Sequence, residues 1–214
     1  MGDPTHLHSR RPASPASPWA TAGTWTGVVL WLVAVLAGMG VLMRYKNAPG
    51  ATASAPIQWP AESRLSRSPE RPTLVMLAHP HCPCTRASLA ELSKLVARLP
   101  ERLTVHLLFV RPRGVEVGWE STDLWRRASE IPGALVKVDD DGREADLFGA
   151  RTSGDTLVYD PSGHLLFHGG ITSSRGHEGD NTGRSRIVSL LTTGAADKSE
   201  SAVYGCALTS DAGP

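Results

Sequence analysis

Charge of one sign is what this sequence lacks most: 22 Lys and Arg set against 21 Asp and Glu leave a formal net charge of +1 over 214 residues. Such a chain has no field with which to hold a polyanion, so nucleic acid is excluded as a partner. Cysteine is almost as scarce. Three thiols are too few for a disulfide scaffold, and an odd number leaves at least one free, transiently bonded or coordinated. Cysteine use therefore points to function rather than to stapling. What the chain does have is a dense cluster at His79-Pro-His-Cys-Pro-Cys-Thr85, directly after the apolar run Thr73 to Ala78. A strand that ends in Cys-Pro and restarts as an amphipathic helix leaves Cys82 at a helix N-terminus. There, unpaired N–H groups and the helix dipole favour thiolate over thiol.

The first seventy residues do not read as part of a globular core. Residues 1–23 are rich in Pro, Ser and Ala without a hydrophobic period and are expected to be a disordered tail. Residues 24–43 carry no charge, and at about 1.5 Å per residue they cover the roughly 30 Å hydrocarbon layer, so they are expected to form one transmembrane helix. Trp25 at one end and Arg44-Tyr45-Lys46 at the other suit the interfaces. The alternative is a cleaved signal ending at Ala51-Thr52-Ala53 or Ala53-Ser54-Ala55, but the apolar run exceeds the about 7–15 residues usual for one. Arg10 and Arg11 balance Arg44 and Lys46, so charge gives no orientation. A short tail before a first helix normally stays inside, which predicts a single-pass protein with a cytoplasmic N-terminus and an extracytoplasmic C-terminal domain. Residues 44–69, with Pro, Ala and Ser and no period, are expected to be a flexible linker.

Residues 70–194 are enough for one core. Thr73 to Ala78 reads as an interior strand, Pro83 opens a helix whose Leu89, Leu92, Val96 and Leu99 recur at helical spacing, and Leu103 to Val110 reads as a second strand. Strand, helix and strand with short links make a right-handed parallel unit. Thr122 or Ser121 caps a helix to about Glu130, and Ala134 to Val138 is a short strand. Asp139-Asp-Asp-Gly142 lacks a glutamate at the twelfth position of a calcium loop and is expected to be a solvated turn capping a helix from Arg143 to Phe148. Thr156 to Tyr159 and His164 to His168 flank the turn Asp160 to Gly163 as an antiparallel hairpin, and a last helix begins near Thr182.

That order, with the string Cys82-Pro-Cys-Thr-Arg-Ala-Ser-Leu-Ala-Glu-Leu92, resembles the thioredoxin fold and its common string C-P-P-C-R-A-S-L-P-E-L over residues 70 to about 191. The resemblance implies an α/β domain with a central mixed sheet of about four strands flanked by helices. It places Cys82 at the attacking position, Cys84 at an intervening one and Thr85 where the resolving cysteine would stand. Asp155, in Gly154-Asp-Thr156, takes the place of the family's cis-proline, and a trans peptide is expected there because a cis bond without proline costs about 3–4 kcal/mol. The strings Cys-Pro-Cys, Gly169 to Thr172 and Arg175 to Asn181 are similar to those of a membrane-anchored bacterial thioredoxin-like group, labelled RedB-like.

Since the hairpin turn lies at one end of the sheet, Asp155 and Gly169 lie at the other, the end that faces the redox turn in this architecture. The loop from Gly169 to Gly183 carries Arg175, His177, Glu178, Asp180 and Asn181 toward it, and His177 is the preferred base for Cys82. Cys84 can close a strained Cys-Pro-Cys disulfide with Cys82, which would favour an oxidant or a readily reduced switch. Thr85 is placed to donate its hydroxyl to the Cys82 thiolate. Cys206, in the tail 195–214, is a second candidate for the resolving thiol. The leading expectation is a membrane-anchored thiol-disulfide oxidoreductase without a cofactor, acting on protein thiols or disulfides outside the cytoplasm. A copper-binding protein is the alternative, with Cys82, Cys84, His81 and His177 as ligands. A thiol peroxidase, with Cys82 passing through sulfenic acid and Thr85 assisting, is the third reading.

Overall fold

A computed structural model describes residues 18–194 and 200–209, so residues 1–17 of the expected disordered tail lie outside the described residues. The chain divides into two units after Tyr45. The first is dominated by helix α1, Pro18–Asn47, which begins earlier and ends later than the expected 24–43. Its stretch Thr24–Asn47 contains an 18-residue window with a mean hydropathy of 2.3 and is long and apolar enough to cross a membrane.

The second unit is built on one mixed sheet. Strand β1, Thr73–Ala78, is buried throughout, as its unbroken apolar sequence requires. Helix α2, Pro83–Arg98, follows, and strand β2, Thr104–Arg111, returns parallel to β1 with Leu74 opposite Val105 and Ala78 opposite Phe109. Helix α3, Asp123–Ser129, is capped by the Thr122 hydroxyl and leads to β3, Ala134–Asp140, parallel to β2. Helix α4, Arg143–Leu147, is capped by Asp139, whose carboxylate accepts from the backbone N–H groups of Glu144 and Ala145 at 2.8 and 2.9 Å. Asp139 is buried, so the expected solvated turn is half right: the cap forms, and its first aspartate leaves solvent to make it. Strands β4, Asp155–Tyr159, and β5, Leu165–Gly170, form the hairpin, and α5, Thr182–Thr193, closes the domain with Asn181 as its cap.

The strand order is β3-β2-β1-β4-β5-β6, where β6 is the two-residue strand Glu200–Ser201. The expected sheet of about four strands is therefore six, because the short strand expected at Ala134 to Val138 pairs with β2 along its length as an edge strand and the tail adds a strand beyond β5. One face packs Leu74, Met76, Leu107 and Phe109 against α2, α3 and α5. The other packs Val75, Leu77, Leu108 and Tyr159 against α4 and the segment before β1.

That segment corrects a second expectation. Much of 44–69 is not a flexible linker. Trp59 stands edge-on to Phe148 and Tyr159, with ring centroids 5.1 and 5.2 Å away. Leu65 is buried, and Glu144 accepts from the Ser63 hydroxyl at 2.6 Å and the Arg64 N–H at 3.0 Å. The sheet face over Tyr159 and Phe148 is too apolar to leave wet, and this stretch covers it. Composition rich in Pro and Ala hid two large anchors spaced without a period.

Candidate active site

Cys82 terminates the extended chain after β1 and is the N-cap of α2, with φ −88° and ψ 119°, and Pro83 takes the first helical position. The local sequence makes this inevitable: Pro83 forbids helix at the residue before it and needs no N–H partner itself. The N–H groups of Cys84 and Thr85 in the first turn act electrostatically on the Cys82 sulfur, which forms no side-chain cap hydrogen bond with the helix. The sulfur accepts from the backbone N–H of Cys206 at 3.3 Å, and the two sulfurs lie 2.8 Å apart. Burial pushes the Cys82 thiol up, but the Cys206 side chain and these three N–H groups outweigh it, leaving the thiol below its ordinary range.

The other two thiols move the opposite way. Burial and then the neighbouring Cys82 push the Cys206 thiol up to about 12. Burial, and after it the charge on Cys82, raises Cys84, while Arg175 and the Gly176 N–H pull against the rise. The three sulfurs thus carry one favoured negative charge, and it sits on Cys82.

Cys206 reaches this place because the tail docks. Its carbonyl accepts from the Ser153 N–H at 2.8 Å, the Leu208 N–H donates to the Arg151 carbonyl at 2.9 Å, and Ala207 bridges antiparallel to Thr152. Val203 and Leu208 are buried. Earlier in the tail, β6 runs parallel to the end of β5, with Ser201 opposite Gly169. A Cβ at Gly169 would meet the Ser201 carbonyl at 2.2 Å, which is why a glycine stands where the tail joins β5.

Cys82 is 1% exposed, and Cys206 of the docked tail lies directly against its sulfur. Thr85 does not donate to the Cys82 sulfur through its side chain: its hydroxyl donates to the His79 carbonyl at 3.1 Å and pairs with the Ser153 hydroxyl at 2.8 Å. Ser153 also accepts from the His79 N–H at 2.9 Å, so it ties the end of β1, the start of α2 and the tail together.

The open end of the hairpin does meet the redox turn, since Asp155 lies opposite both Leu77 and Gly170. From the loop beyond it, Arg175 comes to the thiols and His177 does not. Arg175 donates to the Gly205 carbonyl and acts electrostatically on Cys84 and Cys206. His177 is exposed, its backbone N–H donating to the Ser174 carbonyl. Asp155 turns away from the cysteines, with its carboxylate 3.1 Å from His168 Nε2, and its peptide bond is trans. Burial opposes protonation of His168, but Asp155 outweighs it and raises the imidazole above its ordinary value.

Sequence reasoning missed Glu91, the residue that holds the loop. It is wholly buried on α2, accepts from the Gly179 N–H at 2.9 Å and the Asn181 amide at 3.0 Å, and pairs with Arg184. A lone glutamate among Leu89, Leu92 and Leu95 was the available signal. His81 and His79 flank Trp119, and His81 Nε2 lies 2.9 Å from the Trp119 carbonyl. Burial, and next the proximity of His81, lowers His79. Among the described residues no three His, Cys, Asp or Glu side chains converge as a metal site, so the expected copper set of Cys82, Cys84, His81 and His177 does not assemble.

A central parallel pair, a cysteine at the junction of its first strand and helix, and an antiparallel hairpin across the sheet settle the architecture. The fold is thioredoxin-like. Solved structures agree on its outline. An uncharacterised conserved protein from Geobacillus kaustophilus superposes with a TM-score of 0.55 at 16% identity, over 78% of this chain and 95% of that one. A hypothetical protein from Sinorhizobium meliloti gives 0.53 at 21% identity, over 78% and 96%. A lipoprotein thioredoxin from Streptococcus pneumoniae is similar at 14% identity with a TM-score of 0.44, over 65% and 99%. No family model matches the chain, and no curated relative does.

Proposed function

We propose that this protein is a membrane-anchored thiol-disulfide oxidoreductase whose working pair is Cys82 and Cys206. The observation that carries this reading is the placement of the two sulfurs 2.8 Å apart, with the Cys206 backbone N–H donating to the Cys82 sulfur at 3.3 Å. The Cys82 thiolate attacks one sulfur of a partner's disulfide; a bond forms between Cys82 and that sulfur, and the partner's other sulfur leaves as a thiolate and takes a proton. Cys206 then gives up its proton and attacks Cys82, the partner's second thiol leaves, and the Cys82–Cys206 disulfide remains. The protein loses two electrons and the partner gains them. Run backward, the same atoms oxidise a dithiol.

Cys206 replaces Cys84 as the favoured resolving thiol, and the Cys-Pro-Cys motif becomes a nucleophile with a neighbouring thiol held in reserve beside Arg175. The α1 helix supports a single-pass anchor, and the proposed orientation puts the N-terminus in the cytoplasm and the domain outside, where partner disulfides persist. The test is reduction of a model protein disulfide by the full chain. Cys82→Ser and Cys206→Ser should each stop turnover, while Cys84→Ser keeps it; turnover that needs Cys84 but not Cys206 would reverse the assignment.

A further inference from the structure

Cys82 is the sulfur that ionises most readily and the least accessible, and the tail lies against it. Residues 205–208 run along Arg151 to Ser153, held by the Ser153 N–H to Cys206 carbonyl bond, the Leu208 N–H to Arg151 carbonyl bond, the Arg175 side chain on the Gly205 carbonyl and the buried Leu208, while Val203 upstream is buried and its carbonyl accepts from the Gly50 N–H at 2.8 Å. The first three of these contacts use backbone groups of the tail that any extended polypeptide supplies. The fit is selective at two points. A Cβ at Gly205 would meet the Ser153 carbonyl at 2.0 Å, so the position before the cysteine admits only glycine without displacement. Leu208 is 1% exposed in the apolar cluster that includes Leu108, Val110 and Ala150, so the second position after the cysteine fills a dry pocket.

We infer that the tail is a tethered occupant of the substrate groove, and that the partners of Cys82 are extended protein segments with glycine before a disulfide-bonded cysteine and a large apolar residue two positions after it. The inference rests on the redox reading above. The tail leaves, the partner segment takes its backbone partners on 151–153, and Cys82 attacks the sulfur presented there. When the tail returns, Cys206 breaks the mixed disulfide and the same backbone contacts displace the product. One segment thereby serves as cover, resolving arm and release device.

The test uses the full chain carrying Cys84→Ser and Cys206→Ser, so that Cys82 is the reacting thiol. The probe is a peptide copying residues 203–208 with its cysteine joined to thionitrobenzoate; Cys82 bonds the peptide sulfur and thionitrobenzoate leaves as the coloured thiolate. The same peptide with alanine in the glycine position should react about tenfold more slowly. Adding Leu208→Asp to the protein, which loosens the tail, should speed the glycine peptide about tenfold by freeing the groove. Equal rates for the two peptides, with no gain from Leu208→Asp, would overturn the inference while Cys82 still reacts with the small disulfide dithiobis(nitrobenzoate). Failure of Cys82 to react with that small disulfide would overturn the redox reading beneath it. Because the comparison of peptides needs no change at Leu208, it stands even if that variant folds poorly.

Discussion

The start of α2 and the docked tail both bring a cysteine to the same point, by opposite means. Cys82 gets its position from its immediate neighbours, a strand, a proline and a helix start, while its lowered pKa owes most to the side chain and N–H of Cys206 and less to the N–H groups of the first turn. Cys206 gets its position from distant contacts, with Ser153, Arg151 and Arg175. The comparison teaches that local sequence can place a nucleophile, whereas its activation and the choice of its partner thiol are tertiary matters. It also separates two kinds of sensitivity, since the position of Cys82 should withstand loosening of the tail and that of Cys206 should not.

The largest effect that sharpens this contrast is expected from Cys82→Ser, with exchange falling to background in a disulfide-reduction assay. Glu91→Ala comes next. It strands the buried Arg184 and frees the loop bearing Arg175, at a cost of about 3–5 kcal/mol in denaturant unfolding of the domain. Leu208→Ala should weaken the tail by about 2–4 kcal/mol and make Cys82 react faster with an alkylating reagent as its cover loosens. If alkylation of Cys82 is unchanged by this substitution, the tail is not its cover.

The split between local and distant causes also explains what could be read from the sequence. Unbroken apolar strands, Pro83, Thr122, and the turn from Asp160 to Gly163 each act through near neighbours, and the order of elements followed from them. So did the choice of Cys82. Arg175 and His177 sit two residues apart in one loop, and composition favoured the histidine. What brings Arg175 inward is Glu91, 84 positions earlier in α2, which anchors Gly179 and Asn181. The linker was misjudged for the same reason, as Trp59 and Leu65 have no period and find their partners only across the sheet. Thr85 was assigned to Cys82 because it is close in sequence, yet Ser153 competes for its hydroxyl from the other side of the site.

The smallest effect concerns pH. In the reduced protein, alkylation of Cys82 should rise with pH through a midpoint below the ordinary thiol range, since the charged form is the one its N–H donors favour. Cys206→Ala removes the side-chain contact that favours the charged form and keeps the backbone N–H at 206, so the midpoint should move upward while staying below that of a free cysteine. A midpoint that does not move would mean that the backbone N–H groups alone set the charge.

Disulfide mapping tests the central claim most directly. The full chain, reduced, mildly oxidised, alkylated and digested, should yield one crosslinked pair joining the fragment with Cys82 to the fragment with Cys206, with Cys84 recovered alkylated. A bond between Cys82 and Cys84, with Cys206 alkylated instead, would contradict it.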